Sequence, residues 1–182
     1  MALAAAAALS MGCSGAPTGA AASTVPGVPR WDGHVREVFD DNIDPAAVGM
    51  QMDANAPRFD KFLRERAQTA DLVARLRVQT VTVDSVGDEK RYHLGMQVGF
   101  PTLAKPKMED RLFDLDVSQT SRAYEIVKAF DARLRGLTFI GFVARFTNAD
   151  GEVELHFHLS PDTAEVAAAV KEALALQEIT GS

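Results

Sequence analysis

Charge is missing from the first 29 residues, where the chain carries no Asp, Glu, Lys, Arg or His before Arg30. Cysteine is nearly missing as well: Cys13 is the single one, which excludes an internal disulfide framework and any multi-cysteine metal site. Nowhere does an apolar run reach the roughly 18 residues that a membrane-spanning helix needs. Basic residues are in deficit, with a net charge of −6 and a pI of about 5.2. Those present, among them Arg64, Arg66, Arg75, Arg77, Arg91, Arg133 and Arg135, are scattered rather than striped with aromatics. That pattern argues against a nucleic-acid partner. The chain also lacks a Gly-x-Ser-x-Gly elbow, a P-loop, a Gly-x-Gly-x-x-Gly turn and a Cys-x-x-Cys-His haem site, which lowers the case for an enzyme. What remains, 182 residues, is most simply one domain with a tail.

The tail comes first. Leu3 to Leu9 is a short apolar segment, followed by small residues, Gly12 and Cys13. This arrangement resembles the signal peptide of a bacterial lipoprotein, in which cleavage occurs before a cysteine that then carries lipid. The resemblance covers the N-terminal region alone. It implies a signal peptide over residues 1–12, lipidation at Cys13, and a location in the bacterial cell envelope with the membrane as partner. Residues 14–29 are small, polar and punctuated by proline, a composition that cannot bury enough surface to fold. Residues 13–29 are therefore expected to be a disordered tether, and residues 30–182 a single α+β domain.

That domain is organised around residues 137–175. Ile140, Phe142, Ala144 and Phe146 alternate with Phe139, Gly141 and Val143, so a strand here is apolar on both faces and belongs inside a sheet. Gly151 supplies the positive φ of a hairpin loop. Residues 152–159 then alternate strictly, with Val153, Leu155, Phe157 and Leu159 inward. Glu154, His156 and His158 face the other way, a face expected to be wet. Ser160, Pro161 and Asp162 read as the capped start of a helix whose stripe is Val166, Val170 and Leu174.

Upstream, Trp31–Asn42 reads as a short helix capped by Asp32, and Phe59–Ala67 as a second. Strands follow over Leu72–Val83, Arg91–Phe100 and Arg111–Val117, with an amphipathic helix carrying Tyr124, Val127, Phe130 and Leu134 and closed by Gly136. The predicted architecture is α+β, a mainly antiparallel five-stranded sheet with packed helices in the order α-α-β-β-β-α-β-β-α.

Two features bear on chemistry. Asp40, Asn42 and Asp44 start like a calcium-binding loop, but Pro45 and Gln51 stand where glycine and a bidentate Glu belong, so the stretch reads as an acidic turn. His156 and His158, two apart on one strand, project the same way and are candidate ligands for zinc or another divalent metal, with Glu154 and Asp162 nearby and His93 a candidate third ligand. His93 with Arg91 and Arg75 offers instead a basic patch for an anion. The favoured function is a non-catalytic binding or structural module of the envelope, whose partner is a protein or a small ligand. The alternative is a metal-binding protein or metal-dependent enzyme centred on His156 and His158.

Overall fold

Alternation builds the sheet, and a computed structural model describes it over residues 26–50, 57, 60–87, 89–104 and 106–180. The predicted signal peptide, Cys13 and most of the predicted tether lie outside the described residues. In chain order the elements are α1 (Val35–Val38), β1 (Asn42–Ile43), a 3-10 turn (Pro45–Val48), α2 (Leu63–Thr69), β2 (Leu72–Val86), β3 (Glu89–Val98), β4 (Leu112–Val117), α3 (Tyr124–Leu134), β5 (Thr138–Thr147), β6 (Val153–Pro161) and α4 (Ala164–Thr180). The sheet runs β1-β6-β5-β2-β3-β4. The α+β class holds, and the five expected strands are all present. A sixth, β1, adds itself in parallel to β6 through Asn42–His158 and Ile43–Leu159, while the other pairings are antiparallel. Two residues carry too short a pattern to be read as a strand.

The apolar pattern of β5 has the expected cause: it lies between β6 and β2 and is covered on both faces. Phe139 and Val143 join Leu76, Leu94, Phe157 and Leu159 in a core closed by Val127 and Leu134 of α3. Ile140, Phe142, Ala144 and Phe146 join a second core with Leu63 and Ala67 of α2 and Val166 and Val170 of α4. Gly141 stands where β5 meets its neighbours most closely. A Cβ there would collide with the Leu76 side chain and press on Leu159 at 3.2 Å. Gly141→Ala is expected to lower stability by about 1–3 kcal/mol through overpacking, measured as a fall in the urea midpoint; an unchanged midpoint would show that the Leu76 side chain moves aside freely.

Two helix starts differ from expectation. The helix expected over Trp31–Asn42 shrinks to the single turn of α1, and Asp32 does not cap it; His34 stands at the cap, where its side chain makes no capping hydrogen bond and reaches Glu65 instead. The residues around it are spent on tertiary contacts instead. Trp31 N–H donates to the Thr147 carbonyl at 3.0 Å, and Thr147 N–H donates to the Pro29 carbonyl at 2.8 Å. The N-terminal segment is thus strapped to the end of β5, and this attachment begins inside the stretch expected to be tether. Ser160 and Pro161 extend β6 rather than opening α4; the first turn is capped by Thr163, whose hydroxyl accepts from Val166 N–H at 3.2 Å. Among the described residues no helix is long and apolar enough to cross a membrane.

Candidate functional site

The sheet curls until β4 approaches β6, and the two strands flank a cleft of about 390 Å³. Its walls include Trp31, Arg91, Asp114, Asp116, Glu154 and His156. Part of the β6 edge is left without a ladder here, because β1 pairs only with His158 and Leu159.

The alternation read for β6 is correct, but the expected wet face is not. His156 and His158 are only 5% and 7% exposed, while Val153, expected inward, is 44% exposed. The strap covers the two imidazoles. Trp31 stacks on His156 with ring centroids 3.6 Å apart and planes within 9°. Trp31 is in turn held by its Nε1–H, which donates to the Phe39 carbonyl at 3.2 Å, and by the Arg36 guanidinium over its ring.

A buried imidazole needs partners, and the acidic turn provides them. Nδ1 of His156 lies 2.9 Å from Asp41 Oδ2, and Nδ1 of His158 lies 2.8 Å from Asp40 Oδ1. In an extended chain neighbouring side chains diverge. Here Asp41 takes a left-handed φ of +46°, which breaks the alternation and lets both carboxylates reach β6. Asp41 also accepts from the Phe157 N–H at 3.2 Å. Burial raises its carboxyl above the ordinary value, against the opposing pull of the His156 hydrogen bond and charge. Asp40 is shared with Arg122, whose Nη1 donates at 3.1 Å, and Ala123 N–H donates to the Asp41 carbonyl at 2.9 Å. The strap, β6 and the start of α3 are thereby fastened at one point. Arg66, itself 3% exposed, holds the strap from the other side: its Nε donates to the Val38 carbonyl at 2.5 Å and its Nη1 to Asp60 at 2.6 Å. Burial lowers the pKa of that guanidinium, and the charge of Asp60 opposes the change.

Asp41 therefore occupies the Nδ1 edge of the His156 ring and leaves Nε2 to the other side. That Nε2 is buried and has no hydrogen-bond partner among the described residues. Its polar neighbour is Glu154 Oε2 at 3.8 Å, on a side chain that is 48% exposed and whose Oε1 accepts from Asn148 at 2.7 Å.

The other candidates are placed elsewhere. His93 is held between Asp116, 2.6 Å from Nδ1, and Asp84, 3.2 Å from Nε2, so it does not join His156 and His158. Arg75 pairs with Asp162 at 2.8 Å, so neither completes the set for which it was considered. The predicted basic patch therefore has a carboxylate beside both His93 and Arg75. Among the described residues, no three His, Cys, Asp or Glu side chains converge as a metal-ligand set. Trp31, Asp40 and Asp41 are the members that sequence reasoning missed. Comparisons with known protein families, curated proteins and solved structures return no match for this chain.

Proposed function

We propose that the chain is a lipid-anchored module of the bacterial cell envelope that binds a small ligand in the cleft between β4 and β6 without transforming it. One observation carries the binding reading: the cleft holds an imidazole already oriented by Asp41, with Nε2 unpartnered. A buried polar atom left without a partner costs about 1–3 kcal/mol, a cost that a ligand supplying the missing partner would offset. The cleft volume of about 390 Å³ falls within the range of small-ligand sites, which favours a small ligand over a flat protein partner. Glu154, half exposed and hydrogen-bonded to Asn148, is the neighbouring polar group, 3.8 Å from the nitrogen. The anchor reading rests on Cys13, the single thiol of the chain, set behind an apolar leader and ahead of a stretch rich in small residues.

The anchor is tested by feeding cells of the native bacterial host an alkyne-tagged palmitate. Label is expected on the full-length protein and not on Cys13→Ser; an unlabelled wild type rejects the anchor. Binding is tested by NMR on the isotopically labelled full chain, with methylamine, glycerol and acetamide as donor probes. Shifts confined to Asp114–Asp116 and Glu154–His156 are expected. Probes that leave those amides unmoved would remove the binding reading.

A further inference from the structure

We propose that a second cavity, between the strap and β5, binds a medium-chain fatty carboxylate, its acyl chain among Val35, Val38, Phe39 and Phe146 and its head group at Lys107. The site is separate from the β4–β6 cleft and stands or falls independently of the reading above.

The cavity encloses about 450 Å³. Its floor is Val38 and Phe39 of the strap with Ala144 and Phe146 of β5, all buried in the second core, and Val35 of α1 is a partly buried wall. An apolar lining with a few polar groups at the mouth is the usual form of a small-ligand site, and the volume is at the smaller end of the range, which favours a medium chain over a long one.

The polar mouth carries four charged side chains, Glu65, Asp71, Lys107 and Arg145. Three of them are already engaged. Glu65 lies 2.8 Å from His34 Nε2, and Asp71 accepts from Arg145 Nε at 3.0 Å. Lys107 is different. Its Nζ donates to the Thr69 carbonyl at 3.4 Å, a long bond, and among the described residues no carboxylate pairs with it. An ammonium has three donors, so two are left to spend. The backbone beneath it is fixed, because Lys107 N–H donates to the Asp71 carbonyl at 2.7 Å. A positive charge without a counter-charge therefore stands at the mouth of an apolar cavity. Its complement is an amphiphile with one negative charge, which a carboxylate supplies; a cationic head group would be repelled by Lys107 and Arg145 together.

The test is titration of the isotopically labelled full chain with sodium hexanoate, octanoate and decanoate below their aggregation concentrations, followed by amide NMR. Shifts are expected at Val35–Phe39, Ala144–Phe146 and Lys107, with affinity rising about fourfold for each methylene buried. Lys107 is exposed, so Lys107→Gln should fold as the wild type does. It is expected to weaken octanoate by roughly fivefold, the upper end for a partly exposed ion pair, and to leave 1-octanol binding unchanged, a split that a merely structural lysine would not produce. Decanoate that leaves those amides unmoved, that binds no more tightly than hexanoate, or that loses nothing in Lys107→Gln overturns the proposal. Shifts confined to Leu174–Glu178 or to the β4–β6 cleft would place the binding elsewhere and overturn it equally.

Discussion

Phe142→Ala is expected to destabilise the protein by about 3–5 kcal/mol, the largest effect of any single truncation considered. The ring is fully buried at the centre of β5, within the core shared by Val73, Ile140, Val166 and Val170. It also stands opposite His158 in the ladder with β6. Those surroundings belong to a sheet and two helices, so they cannot collapse into the space left behind without moving elements that are fixed elsewhere. Urea unfolding checks the value: the midpoint should fall with an unchanged slope. A loss below about 1 kcal/mol, far under the usual range for a buried Phe, would show that this core repacks and that the two-faced reading of β5 overstates its rigidity.

Asp41→Ala should follow closely, at about 2–5 kcal/mol, below the sum of its separate costs because neighbouring terms are not additive and the substitution also relieves the burial of a carboxyl. The substitution strands two buried donors, His156 Nδ1–H and Phe157 N–H, each at about 1–3 kcal/mol. It also places Ala at φ +46°, where an L-residue without a short polar side chain is strained by roughly 1 kcal/mol. Asp41→Asn keeps an acceptor and a residue type that tolerates this backbone, and its loss should be clearly smaller. The pH dependence has a definite sign. Burial holds the Asp41 carboxyl above its ordinary 3.8, so between that value and the raised one the folded state binds a proton that the unfolded state lacks. The contribution of Asp41 is therefore least favourable above the raised value and improves as the pH falls through it. Relative to Asp41→Asn, the wild type should gain stability on acidification through this window. A difference that stays flat or shrinks would mean that the His156 interaction, not burial, governs the carboxyl.

Much of this was legible in the residues, and the reasons are specific. Strict alternation identified β6, and the double apolar pattern placed β5 inside the sheet; both signals depend on which side chains the strand itself buries. The helix stripes of α3 and α4 were read for the same reason. What failed was any property set by a distant segment. His156 and His158 sit on a polar face that local pattern marks as wet. They are buried because Trp31 and the Asp40–Asp41 turn, more than a hundred residues earlier, fold over them. Trp31 and Asp32 resemble a helix start until Thr147 bridges to Arg30 and takes the Trp31 N–H as a donor. The adjacent acidic pair did offer a signal. Asp40 and Asp41 followed by Asn42 and Ile43 look like a turn, yet two strand histidines two apart need two acceptors once buried, and this is the sequence's one adjacent pair of aspartates.

The strap also decides how the molecule bears mechanical load. Tension applied through the N-terminus meets first the few hydrogen bonds joining Pro29 and Trp31 to Thr147, then the Trp31 stack, and only later the sheet. A modest pull would lift the indole from His156 while β2, β3 and β5 remain intact. Single-molecule extension should accordingly show a small, low-force step of a few residues ahead of the main rupture, and the imidazole would become open to solvent during it.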